Sequence, residues 1–235
     1  MESRRPGLGD LVAISRISSA TNNGTTVTLG THAKGDLILY LAYNQGSGVI
    51  PTLPTGVIGL YSRSSSAGSQ RIGYYIADSS SETVGTTGWT NADNVTSLVY
   101  RGGSSSVVVP SFLSLGSATS TTITYPAQVA GTLKENATDL WLAGCGISNS
   151  VLNNLSSLAP SGMSSINNSV GANFEVGTYD TNATRTTAWP ATNVTAANSA
   201  VYFTIVIELL ELDHRVAGGG GGLILPRSMD GGYSG

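Results

Sequence analysis

Glu208, Glu211, Asp213 and His214 are the densest grouping of acid–base chemistry in the sequence. Carboxylates and an imidazole this close could supply a general acid and a general base. On a strand, however, Glu211 and Asp213 share one face while His214 points to the other, which divides the group. The plainer reading, a polar strand exit leading into the tail, is the favoured one. A carboxylate pair for glycoside cleavage could also be assembled from distant strands, as in a polysaccharide depolymerase.

Metal chemistry has little to draw on. Asn91, Asp93 and Asn94 offer oxygen ligands for calcium, but their spacing is not that of an EF-hand loop, and a solvated turn is the stronger reading. One cysteine and two distant histidines, His32 and His214, do not make a structural zinc site. Neither a Gly-x-Ser-x-Gly nucleophile turn nor a phosphate-cradling Gly-x-x-x-x-Gly-Lys-Ser/Thr loop occurs. No catalytic residue, cofactor or metal is therefore assigned, and no enzymatic activity is expected.

Aromatic residues give the better candidates for contact. Trp89 and Trp189 fall in polar loops, where an indole could stack on a sugar ring or a protein partner. The alternative is an indole folded back over the core, and it is favoured. Tyr40, Tyr43, Tyr74 and Tyr75 lie on expected strands and are read as packing residues. Cys145, in the apolar run Leu140-Trp141-Leu142-Ala143-Gly144, is expected to be a buried, inert thiol, and a lone cysteine excludes an internal disulfide. Seven Asn-x-Ser/Thr triplets are what chance supplies in a chain this rich in Asn, Ser and Thr.

The elements that must position these residues are strands. Charged residues are only 11% of the chain and lysines only two, Lys34 and Lys134, so the material of exposed amphipathic helices is missing. Val-, Ile- and Thr-rich runs broken by Gly, Asn and Pro predict strands over residues 11–17, 25–29, 36–44, 57–62, 70–78, 94–101, 107–109, 119–125, 138–147, 173–180 and 200–212. Residues 36–44 are nearly continuous apolar and read as a central strand, whereas 70–78 alternates Ile72, Tyr74 and Ile76 against Arg71, Gly73 and Tyr75. The Ser/Asn/Gly-rich segment 147–173 is expected to be an insertion, with a short helix or loop over 151–158. No internal repeat is evident apart from the glycine run near the end.

The net charge of −3 provides no basic stripe for nucleic acid and no polybasic patch for a membrane, and no apolar run is long enough to span a bilayer. Residues 1–6 lack an apolar core, so no secretory leader is expected. Gly218 to Gly222 form a flexible hinge ahead of Leu223, Ile224 and Leu225, which are expected to dock on a neighbouring subunit. Arg4 and Arg5 are further expected assembly contacts.

The order of several short motifs is informative. A Val-Thr-Leu run precedes Lys34-Gly35-Asp36-Leu37-Ile38, then a proline-rich loop ending Pro54-Thr55-Gly56. Arg71-Ile72-Gly73-Tyr74-Tyr75, Val99-Tyr100-Arg101-Gly102-Gly103 and Phe203-Thr204-Ile205-Val206-Ile207-Glu208-Leu209 follow. Over residues 25–212 this order resembles a recurrent β-sandwich of tailed-bacteriophage virion proteins and prophage genes. The resemblance implies a virion surface role, as a head decoration (cement) protein or a tail-fibre or appendage component, assembled in the host cytoplasm. It also implies partners among other virion proteins and copies of the same chain. The alternative from another class is a carbohydrate-binding module that attaches to a host surface glycan.

The expected architecture is an all-β antiparallel β-sandwich, jelly-roll or Greek-key like. An N-terminal arm (1–9) and a glycine-rich C-terminal arm (214–235) flank the sandwich domain (10–213).

Overall fold

The computed structural model of the chain describes residues 14–103, 106–128, 139–148, 153–182 and 188–213. It is all-β, and among the described residues its one helical element is a single 3-10 turn at Leu155–Ser157. The first half supplies β1 (Ser15–Asn23), β2 (Leu37–Gln45), β3 (Ile58–Ser65), β4 (Gly68–Ile76) and β5 (Asn94–Arg101). The second supplies β6 (Ser106–Tyr125), β7 (Asp139–Ser148), β8 (Ser164–Val170), β9 (Phe174–Asp180) and β10 (Thr192–Asp213). Each half makes one antiparallel five-stranded sheet, ordered β1-β5-β2-β4-β3 and β6-β10-β7-β9-β8. Among the described residues the chain passes from one sheet to the other once, between Arg101 and Ser106.

Alternation along the central strands builds three apolar layers. Leu37, Leu39 and Leu41 of β2 face Leu140, Leu142 and Ile205 across the space between the sheets. The intervening Ile38, Tyr40 and Ala42 form an outer layer with Val57, Trp89, Val95 and Val99. On the other sheet, Trp141, Ala143, Cys145 and Ile147 lie under Ile123, Tyr125, Leu155 and Trp189. Burial on both faces explains why β2 reads as one unbroken apolar run. Complete burial of each such aliphatic side chain contributes about 1.5–3 kcal/mol.

The two sheets share more than strand order. Leu39 pairs with Tyr74 on one side and Leu98 on the other, and Leu142 pairs with Asp180 and Ile207 in the same way. Counting outward from these anchors, Leu60 is bulged out between Gly59 and Tyr61, and Ile166 between Ser165 and Asn167, at the matching step. Ile17 is bulged opposite Val99 and Tyr100, and Ser111 opposite Glu208 and Leu209, again at matching steps. The halves therefore repeat one five-strand unit with matching register and two shared irregularities, to which the second adds a shift between Thr195 and Ala200. All four edge strands, β1, β3, β6 and β8, carry one of these bulges, which disrupts the flat edge that another strand would pair with.

The sheets face each other about an approximate twofold axis. Ser169 of β8 donates to Asn23 Oδ1 of β1 at 2.6 Å. At the opposite seam, Arg63 of β3 donates to Ser117 Oγ of β6, and its guanidinium lies 4.9 Å from the centroid of the Phe203 ring. In the register above, Arg63 corresponds to Ser169 and Ser117 to Asn23, so each contact is the counterpart of the other. Near the axis, Leu41 meets its own counterpart Gly144, and Tyr43 meets its counterpart Gly146. A Cβ on either glycine would come within 3.0 or 2.8 Å of the facing side chain.

Several sequence expectations shift. Residues 25–29 form no strand, although Val27 is buried and its N–H is bonded to Thr86 O at 2.9 Å. The expected strands 107–109 and 119–125 are one long strand, β6. Its outer part folds back over the second sheet, where Thr204 Oγ1 donates to Thr124 O at 2.7 Å. The segment read as an insertion contains the edge strand β8. Arg4, Arg5, Leu223, Ile224, Leu225 and His214, with both arms, lie outside the described residues.

Candidate functional site

The groups with chemical potential are drawn into tertiary structure rather than gathered into a cleft. On β10, Glu208 and Glu211 are both buried, but three residues apart on a strand they point to opposite faces. Glu211 Oε1 accepts the Gly103 N–H and the Ser106 hydroxyl, so it clasps the link between the sheets. Glu211 thus ties β10 to the inter-sheet connection.

Trp89 and Trp189 are 0% and 2% exposed. Each lies in the connection ahead of the last strand of its half and caps the outer face of its own sheet. Trp89 Nε1 donates to Gly85 O at 2.7 Å, and its ring lies 5.7 Å from that of Tyr40. The Trp189 backbone N–H and C=O both pair with Gln128 at 2.8 Å. Folding back over the core is thus where the geometry places both. This is the alternative favoured from the sequence, and the apolar outer sheet faces supply the physical reason for the inward turn.

Asp93 and Asn94, weighed above as calcium ligands, tie loops to strands. Asp93 Oδ2 accepts the Gln45 N–H at 2.7 Å, and Asn94 Nδ2 donates to Thr21 Oγ1, Asn22 O and Asn23 Oδ1 at 3.1–3.2 Å. Asn91 takes a positive φ of 58°, as a turn residue does. Among the described residues no three His, Cys, Asp or Glu side chains come together as metal ligands. Cys145 is buried, and burial, partly opposed by a hydrogen bond with Tyr125, pushes its thiol up to about 12.

The arrangement sequence reasoning missed is a charged seam between the sheets. Arg16 Nη1 donates to Asp180 Oδ2 at 2.6 Å, and the Tyr100 hydroxyl donates to the same oxygen at 3.2 Å. Burial raises the Asp180 pKa above the ordinary carboxylate value, outweighing the opposing pull of Arg16 and Tyr100. The Tyr100 hydroxyl is held well above its usual value, first by burial and then by the Asp180 charge. These residues are far apart in sequence, so no spacing announced them. A second ion pair, Arg101 with Asp36, closes the end of the first sheet at 2.7 Å.

A small cavity of about 20 Å³ lies beside Leu41, Tyr43, Gly144, Gly146 and Ile205. That is room for about one water molecule. No helix among the described residues is long and apolar enough to cross a membrane. No protein-family model, no curated protein and no solved structure matches this chain.

Proposed function

We propose that this protein is a non-catalytic structural component of a tailed-bacteriophage particle surface, acting as a head decoration or tail-appendage subunit through contacts with virion proteins, including copies of itself. The observation that carries the reading is the structural employment of its chemically capable side chains. Glu211 clasps a connection, Asp93 and Asn94 tie loops, Trp89 and Trp189 cap sheet faces, and Cys145 is a buried thiol. The sequence resemblance supplies the particle. Kinship with virion β-sandwiches is proposed at the level of two packed antiparallel sheets.

Immunogold labelling of intact particles with antibody to the sandwich tests this. A dense array over the head is the result for a decoration protein, and label on the tail is the result for an appendage. Particles that stay unlabelled while the antibody recognises the isolated protein would overturn the proposal.

A further inference from the structure

The repeated halves carry an inference that stands apart from any role on a particle. Every strand of the first sheet comes from residues 15–101 and every strand of the second from 106–213. The interface between them is isologous in design, since one unit contacts a second unit through the same positions used twice. Only residues 102–105 join the two, and they begin with Gly102 and Gly103. Nothing in the packing of one sheet on the other requires both to belong to one chain.

We propose that two copies of this protein exchange halves, the first sheet of each packing on the second sheet of the other, with the link from Arg101 to Ser106 reaching across between them. The pairing is selective. First sheet on first sheet would set Leu41 against Leu41 and Tyr43 against Tyr43 at the axis. Second on second would set Gly144 and Gly146 against themselves and leave a void. First on second places each large side chain over a glycine, as within the single chain. Glu211 holds the link closed through Gly103 and Ser106, so these bonds oppose exchange. The bulged edge strands direct self-association away from strand addition and toward this face-to-face mode.

The seam between Arg16 and Asp180 gives a test in full-length chains. Arg16→Asp places two carboxylates at that seam within its own chain, and Asp180→Arg places two guanidinium groups there. In an exchanged dimer made of one copy of each, both seams are again oppositely charged. Equal amounts are refolded together and separately, and the species are weighed by light scattering and by native mass spectrometry. The expected result is a one-to-one dimer, at least about tenfold more abundant in the mixture than in either variant alone, a ratio equivalent to ~1.4 kcal/mol.

A second measurement does not depend on how well those variants fold. Deleting residues 102–105 joins Arg101 directly to Ser106, a single peptide step of ~3.8 Å against the ~10 Å between packed sheets, so the link can no longer close within one chain. The shortened chain is expected to be a folded dimer, and Glu211→Ala is expected to raise the dimer fraction of the full-length chain. The proposal is overturned if the shortened chain is a folded monomer, or if the charge-reversed mixture yields no one-to-one dimer while the Glu211→Ala chain stays monomeric.

Discussion

Arg16, on the first strand of one sheet, donates to Asp180, on the fourth strand of the other, across 2.6 Å, and the Asp180 carboxyl is fully buried. The pair is a charged tie between the halves at the β1–β8 seam. Removing the cation leaves a carboxylate in the interface with Tyr100 as its remaining side-chain donor. Arg16→Ala is therefore expected to destabilise the protein by about 3 kcal/mol, at the low end for a broken buried pair because Arg16 keeps a quarter of its side chain in water. Urea unfolding checks this, and a loss below ~1 kcal/mol would mean that the tie contributes no more than a surface pair.

Asp180 also has a distinctive pH signature. Its folded pKa is raised, so between the unfolded value, near 4, and the folded one the native state holds more protons than the unfolded state. Stability contributed at this position thus falls as pH rises through that window and is regained on acidification. The difference in unfolding free energy between the native chain and Asp180→Asn should move in favour of Asn as pH is raised from 4 to 7. A difference that is flat, or that runs the other way, would contradict burial as the dominant influence on this carboxyl.

Cys145 should be silent to thiol reagents in the folded protein. Its pKa of about 12 leaves almost no thiolate at pH 8, and its side chain is buried. Reaction with a disulfide reagent is expected only as the chain unfolds in guanidinium. Rapid labelling of native protein would place Cys145 on an accessible surface.

The paired indoles should behave alike. Trp89→Ala and Trp189→Ala are each expected to cost about 3–5 kcal/mol, because each empties the cap of an outer sheet face. Gly85→Ala should also be strongly destabilising. Gly85 has φ +81°, and a Cβ there would lie 2.4 Å from the Tyr40 ring. Denaturant midpoints measure all three, and a near-neutral indole substitution would mark that residue as a surface group.

Strands buried on both faces were legible in the sequence. The expected 94–101 coincides with β5, and 36–44 lies one residue from β2. Ser164–Val170 escaped because an exposed polar edge strand, Ser-Ser-Ile-Asn-Asn-Ser-Val, shows no apolar alternation. Pro110 read as a break, yet it sits in an edge strand beside a bulge, where its missing N–H is tolerated. The structural repeat was not legible residue by residue. Corresponding positions hold Tyr74 and Asp180, Arg63 and Ser169, or Gly73 and Tyr179, since packing preserves the pairing pattern while leaving side chains free to change. The charged seam depended on that pattern and could not be read before it was known.

Tyr43 against Gly146 shows what joining the halves makes available. In an assembly of two identical subunits, a residue on the rotation axis meets its own copy, so a ring must stack on a ring and a glycine must face a glycine. A gene that encodes both halves removes that restriction, because a change at codon 43 is not copied at codon 146. This close point of the interface is thereby filled by one bulky side chain and one absent one, a lock and its keyhole.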